Sequence, residues 1–397
     1  MSSIVFFNIP AYGHTNPTLG VVRELVARGH TVRYYSYEKF RDRIESVGAE
    51  FIACDVYDNQ LHLSAADGVR IGKDLSFSIK VLVRTALAFD DVIVQELAKN
   101  PPDCIVADSM AVWGRWIADK LNVPFISSTT TFAFNRYSAR IMPKEIGQLY
   151  QFVKASIVNR KDLKVLRQKG YPVRNVLSII QNDNNTNTIV YTSDAFQPYA
   201  DTFSDKYSFV GPVFAKIPIK PQKHWKKLIY ISMGTVNHNF PEFYQNCIEA
   251  FRNTDYLVVI SAGENTDLSI FQNVPAHIRI YKSVDQLQIL QTANIFFTHC
   301  GMNSVNESLY YSVPMVMFPQ TSEQSGVAKR VEEVRAGIYL KCIEPETILH
   351  AAETVLNNLE YMRSADKIGQ TLRECKGAKA AADVILSIVN PCPQNIK

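Results

Sequence analysis

Strand-like runs alternate with segments of helical periodicity along most of the chain, and this alternation constrains the fold more than any other feature. Residues 4–9 read as a buried strand, and residues 17–27 carry apolar side chains at 19, 21, 22, 25 and 26, one face of a helix. Asn16 suits a cap, Pro17 the first helical position and Gly29 the stop. Further strands are predicted at 31–36, 50–53, 104–107, 125–128 and 188–191, with helices at 38–47, 73–99 and 112–121. The pattern weakens between about 140 and 185, ending in the polar run QNDNNTN. It restarts at 228–232 and continues through strands at 256–261, 278–281, 295–298 and 314–318, interleaved with helices at 241–252, 285–292, 302–311 and 323–335. Residues 345–390 read as helical. Strand–helix alternation implies a parallel sheet covered on both faces. The expectation is therefore an α/β protein of two doubly wound, Rossmann-like domains facing across a cleft.

The stretch GPVFAKIPIKPQKHWKK separates the halves. Its three prolines and five lysines mark a linker, and the cluster Lys220, Lys223, Lys226 and Lys227 reads as solvated, since no aromatic interleaving accompanies it. A formal charge of +4 over 397 residues, 47% hydrophobic and 20% charged, argues against a nucleic-acid partner. Seven dispersed cysteines without a CxxC pair imply reduced thiols. The opening MSSIVFFNIP holds too short an apolar run for a secretory signal, and no run approaches a membrane span. A cytoplasmic location, and a monomer or weak dimer, are expected.

Two segments carry chemistry. The first, NIPAYGHTNPTLG (8–20), places His14 between a strand and a helix. It lacks the G-x-G-x-x-G of a dinucleotide-binding oxidoreductase, but an imidazole there can move a proton. Asp108, just past the strand at 104–107, stands at the same carboxyl edge of the sheet; taken alone it is a turn or capping residue. The second segment, FFTHCGMNSVNESLYYSVPMVMFPQTSEQ (296–324), ends a strand at His299, turns at Gly301 and opens a helix with Asn303 and Ser304. Free N–H groups at a helix start make an anion site. Glu307 lies one turn deeper on the face of Asn303, where a carboxylate can accept hydrogen bonds from two vicinal hydroxyls. Glu323 and Gln324 follow the next strand at the same edge. Singly, Asn303 and Ser304 read equally as caps and Glu307 as a solvated residue. The His299–Cys300 pair lacks the spaced partners of a metal site. Together the residues describe a site for a sugar nucleotide.

The run THCGMNSVNESLYYSVPMVMFPQTSEQ resembles the donor signature of family 1 UDP-glycosyltransferases. YKSVDQLQIL (281–290) resembles the segment that opens this signature, ISMGTV (231–236) the phosphate-side loop of the bacterial macrolide-type subfamily, and NIPAYGHTNPTLG and PPDCIVADSMAVWG its N-terminal segments. Met302 stands where plant members have Trp, Asp285 where many relatives have Pro, and Glu323 where Asp is commoner.

The resemblance implies a GT-B fold. It divides the chain into an acceptor domain (1–212), a linker (213–227), a donor domain (228–375) and a final helix (376–397) packing back on the first domain. It also implies a base, His14, with Asp108 as its partner. Ser232, Gly234, Thr235, His299, Gly301, Asn303 and Ser304 would hold the diphosphate, Val284, Gln286 and Glu307 the uridine, and Glu323 and Gln324 the sugar. UDP-glucose is the donor it implies. The N–H and O–H groups and helix dipole at the diphosphate site stand in place of a metal ion, and the chain has no Asp-x-Asp sequence, so metal-independent, inverting transfer to a small hydrophobic acceptor (a flavonoid, another phenol or a macrolide) is expected. Phe77, Phe89, Phe132 and Phe134 are candidates for the acceptor pocket, and each is equally a candidate core residue. A sugar-nucleotide epimerase on the same scaffold and a non-catalytic small-molecule-binding protein are the alternatives.

Overall fold

The computed structural model describes residues 1–54, 70, 74–90, 92–141, 148–176, 184–214, 227–234 and 240–390. Thirteen strands fall into two sheets among these residues. The first sheet uses β1 (Ser3–Phe7), β2 (Thr31–Ser36), β3 (Glu50–Ala53), β4 (Cys104–Asp108), β5 (Phe125–Thr129), β6 (Thr188–Val190) and β7 (Tyr207–Phe209), in the order β3-β2-β1-β4-β5-β6-β7. The second uses β8 (Leu228–Ser232), β9 (Leu257–Ser261), β10 (Ile278–Tyr281), β11 (Ile295–Thr298), β12 (Met315–Met317) and β13 (Gly337–Tyr339), in the order β10-β9-β8-β11-β12-β13. Every pairing is parallel.

Parallel strands need helical crossovers, which cover both sheet faces and make the strands apolar on both sides. Alternate side chains of β1 therefore enter different cores. Val5 and Phe7 pack with Ile79, Val83 and Trp113, whereas Ile4 and Phe6 pack with Val21, Leu25 and Ile385. In the second sheet Tyr230 and Phe296 share one core, and Ile231 and Phe297 the other. The last helix, Ala378–Val389, buries Ala381, Ala382 and Ile385 in the core that also holds Val21 and Leu25 of helix Tyr12–Ala27. Arg28 at the end of that helix pairs with Asp383 at 2.6 Å.

Several expected boundaries change. The first helix begins at Tyr12 with Ala11 as its cap, so Pro17 lies inside it and Asn16 caps nothing. A proline at the sixth helical position is tolerated because the carbonyl it leaves unpaired finds another donor, as shown below. The helix expected at 73–99 is two, Leu75–Asp90 and Ile93–Lys99. The one expected at 38–47 shrinks to a 3-10 turn, Glu38–Phe40, and a short helix, Arg41–Glu45. The weakly patterned region contains helices Gln148–Val158 and Arg160–Gln168; the second is rich in basic residues and buries only Leu163 and Leu166, too narrow a stripe to be conspicuous. Strands β7 and β13, three residues each, escape a period-2 reading through their brevity. Most of the expected linker, including Lys220, Lys223 and Lys226, and Thr235 of the phosphate-side loop lie outside the described residues.

Helix Val112–Leu121 lies so close to the sheet that a Cβ on Gly114 would come within 2.3 Å of the Ala107 Cβ and 3.3 Å of the Phe7 ring. Gly114→Val is expected to lower stability by about 1–3 kcal/mol, the usual cost of overpacking, read as a drop in the urea midpoint. An unchanged midpoint would show that helix and sheet can separate without loss.

Candidate active site

Strand order reverses beside β1 in the first sheet and beside β8 in the second, so each sheet has a crevice at its carboxyl ends where open α/β proteins bind ligands. In the first sheet the crevice lies between β1 and β4. His14, in the first turn of the helix after β1, places Nδ1 2.7 Å from Oδ2 of Asp108, the last residue of β4. The Asp108 side chain is fully buried and His14 is one-fifth exposed. Oδ1 of Asp108 accepts the Met110 N–H at 2.8 Å, which fixes the carboxylate. A proton held on Nδ1 toward Asp108 leaves the Nε2 lone pair available. Burial alone would lower the His14 pKa, but the Asp108 charge and hydrogen bond, with a contribution from Glu323, raise it above the ordinary 6.5. Thr130, just past β5, puts its hydroxyl 3.0 Å from the same Nδ1. Asn8 donates to the His14 carbonyl at 3.0 Å and to the Tyr34 hydroxyl at 2.8 Å, anchoring the turn to β2.

In the second sheet the crevice lies between β8 and β11. Ser232 ends β8, and Gly234 follows with φ +82°, a left-handed value that favours glycine. A Cβ on Gly234 would sit 2.4 Å from the His299 ring, and one on Gly301 would sit 2.7 Å from its Nε2, so the imidazole is slotted between two glycines. Burial lowers the His299 pKa to about 4, and its Nδ1 is buried without a hydrogen-bond partner among the described residues. His299 is thus a neutral ring at pH 7, able to offer an N–H but no charge. Cys300 adopts φ +65° and donates its N–H to Thr298 Oγ1 at 3.1 Å, and helix Met302–Tyr310 follows.

On that helix Asn303, Ser304 and Glu307 line up with Gln286 from helix Gln286–Leu290. Gln286 Nε2 donates to Glu307 Oε2 at 2.5 Å and Ser304 Oγ at 3.2 Å, while Gln286 Oε1 accepts from the Tyr230 hydroxyl at 3.1 Å. Burial pushes the Glu307 carboxyl up to about 7, against the lowering effect of that Gln286 hydrogen bond. Asp285 caps the short helix by accepting the Gln288 N–H at 3.1 Å, so an aspartate serves as a helix starter here, and Val284 beside it packs half-buried on the core. Thr321 caps helix Ser322–Glu333, whose first turn holds Glu323 and Gln324; the Gln324 side chain accepts the Gln320 N–H at 2.8 Å. Burial raises the Glu323 pKa, and the charge of His14 across the cleft opposes the rise. Asn303 Nδ2 also reaches across, donating to the Gly13 carbonyl at 2.8 Å.

Of the aromatic residues expected near the acceptor, Phe89 is buried edge-on against Trp113, and Phe132 is buried against Phe196 in the second domain's core. Both are core residues, because the rings they meet leave them almost no open surface. Phe77 is half-buried under the Arg70 guanidinium, and Phe134 is exposed. Much of the 55–90 region lies outside the described residues.

A family model described as UDP-glucoronosyl and UDP-glucosyl transferase matches residues 225–372. YdhE of Bacillus subtilis, an uncharacterized UDP-glucosyltransferase, is 34% identical over 390 residues, covering 94% of this chain and 95% of its own. The chain belongs to the UDP-glycosyltransferase family. The oleandomycin glycosyltransferase of Streptomyces antibioticus, 26% identical over 96% of this chain and 90% of its own, lies in the same bacterial, macrolide-type branch. The calicheamicin glycosyltransferase CalG4, at 24% identity, superposes with a TM-score of 0.81 over 98% of both chains and shares the two-domain GT-B fold. The activity of this UDP-glycosyltransferase is glycosyl transfer from a nucleotide-sugar donor to an acceptor. No helix among the described residues is long and apolar enough to cross a membrane.

Sequence reasoning missed Thr130, Asn8 and Tyr230, which hold the expected residues in place. It also missed Asn306, which is buried and ties helix Met302–Tyr310 to the first domain. Asn306 accepts from the Thr192 hydroxyl at 2.9 Å and donates to the Tyr191 carbonyl at 3.0 Å. A polar residue on the otherwise apolar stripe of Met302, Val305 and Leu309 was the only signal for it.

The His14 environment predicts a titration. Following the imidazole by proton NMR, we expect a pKa above 6.5 that falls below 6.5 in Asp108→Asn, since the carboxylate goes and the burial remains. An unchanged value in the variant would remove Asp108 as its cause.

Proposed function

We propose that this UDP-glycosyltransferase moves a hexose, glucose as the default, from a UDP-sugar to a hydroxyl of a small hydrophobic acceptor, with inversion and without a metal ion. The observation that carries the reading is the His14–Asp108 pair at 2.7 Å, beside which Asn303 donates to the Gly13 carbonyl at 2.8 Å, so that the helix bearing Asn303, Ser304 and Glu307 starts next to the pair. His14 Nε2 takes the acceptor proton as the acceptor oxygen bonds to the anomeric carbon. Asp108 stabilises the imidazolium that forms. The bond from that carbon to the diphosphate oxygen breaks, and UDP departs with the electron pair.

Ser232, Gly234, His299, Gly301, Asn303 and Ser304, together with Thr235, are the groups proposed to receive the diphosphate. Neutral N–H and O–H donors at a helix start can stabilise its charge without a cation. Glu307, oriented by Gln286, is proposed to read the ribose hydroxyls beside Val284, and Glu323 and Gln324 the sugar hydroxyls. The step proposed is a single displacement by the acceptor oxygen with His14 as its one base, which inverts the anomeric centre. Phe77 and Phe134 remain the proposed acceptor contacts.

Incubation with UDP-glucose and a panel of phenols, flavonoids and macrolides tests the reading by mass spectrometry and NMR of the product. The expected result is a gain of one hexose with inverted anomeric configuration, unaffected by chelator, and reduced about 10²–10⁴-fold in His14→Ala. Full turnover in His14→Ala would falsify the base assignment, and loss of turnover with chelator would overturn metal independence. In the wild type, kcat/KM should decline as pH falls through a value above 6.5, because the protonated imidazole cannot accept the proton. A limb at or below 6.5 would contradict the raised pKa.

A further inference from the structure

We propose that Pro17 is a positioning residue: by withholding a backbone N–H it leaves the Gly13 carbonyl for Asn303, and so registers the donor-side helix against the turn that carries His14. In helix Tyr12–Ala27 the carbonyl of residue 13 would ordinarily accept the N–H of residue 17. Proline has none, and its ring crowds the carbonyl one turn back. That carbonyl is satisfied from the other domain instead, by Asn303 Nδ2 at 2.8 Å, across 290 residues of sequence. One residue on, the His14 carbonyl takes a second side-chain donor, Asn8 Nδ2 at 3.0 Å. The first turn is therefore held from both sides, by β1 through Asn8 and by the donor domain through Asn303.

The arrangement has a consequence for the reaction. An asparagine amide nitrogen carries two hydrogens. One used on Gly13 leaves the other for a diphosphate oxygen, so a single side chain connects the donor to the backbone unit preceding His14. This inference rests on the proposed roles of His14 and Asn303. A helix without the proline would offer Gly13 a ladder donor of its own, so the carbonyl would be shared and drawn back toward the helix axis, weakening the tie while each domain remained folded.

Pro17→Ala supplies the missing N–H, and the proposal makes an unusual demand of it. The thermal midpoint is expected to hold or rise, because an interior proline is replaced by a good helix former, while kcat falls about 10- to 100-fold through misplacement of the reacting groups. KM for the acceptor should stay unchanged. In an Asn303→Ala background the same substitution should cost nothing further, since the two residues act through one contact. Unchanged kcat in Pro17→Ala, or fully additive losses in the double variant, overturns the proposal.

A measurement without chemistry covers the case in which Pro17→Ala fails to fold, and separates this idea from the proposed function. Spin labels on the two domains, with no donor present, should report a broader distance distribution in Asn303→Ala than in the wild type. An identical distribution overturns the tie even if His14→Ala abolishes turnover. A broadened one supports it whatever the acceptor proves to be.

Discussion

Every strand in both sheets runs parallel to its neighbours, so each connection must carry the chain back over a sheet face before the next strand can start. That requirement sets the layering, the apolar strands and the position of the site. Where strand order reverses, at β1/β4 and at β8/β11, neighbouring crossovers leave toward opposite faces and open a crevice at the carboxyl ends. His14 and Asp108 stand at the first crevice, and Ser232, Gly234 and His299 at the second. Groups far apart in sequence meet because two sheets place their reversals face to face.

The two crevices treat histidine in opposite ways. His14 and His299 are both taken out of bulk water, a change that disfavours the charged ring. At His14 a fixed carboxylate more than compensates, so the ring gains affinity for a proton. At His299 no charged group among the described residues compensates, and two glycines hold the ring close where it remains neutral. One imidazole is thereby suited to take a proton and the other to donate a hydrogen bond.

A transfer between domains also needs the domains held in register. The second half does this by donating to backbone carbonyls of the first. Asn303 takes Gly13, Asn306 takes Tyr191, and Arg330 takes Phe196 and Ala195, each at 3.0 Å or less. Ser193 and Thr371 add a hydroxyl contact at 2.8 Å, and the last helix returns to the first domain's core. Carbonyls just past a strand end, in a turn and at a proline-containing helix turn are available because their own elements do not use them.

The sequence alone determined the α/β class and the two-part organisation, and it singled out the segment at 296–324, because hydrophobic period and short-range order are local properties. HCGMNSVNE lies in one stretch, so its turn, helix start and carboxylate spacing could be read without coordinates. It also put His14 after β1 and Asp108 just past a strand at 104–107, which the structure extends to include Asp108; their pairing came only from the resemblance, and the 2.7 Å contact only from the fold. Pro17 misled the reading locally, since proline usually opens a helix, and only a donor from the other domain explains its place inside one. Tertiary structure decided that Phe89 and Phe132 are core and that Thr130 shares the His14 nitrogen. It decided likewise that Asn306 and Asn303 bridge the halves. Those outcomes depend on contacts between distant segments, and a residue's own neighbours in sequence carry no record of which surface the folded chain will bring against it.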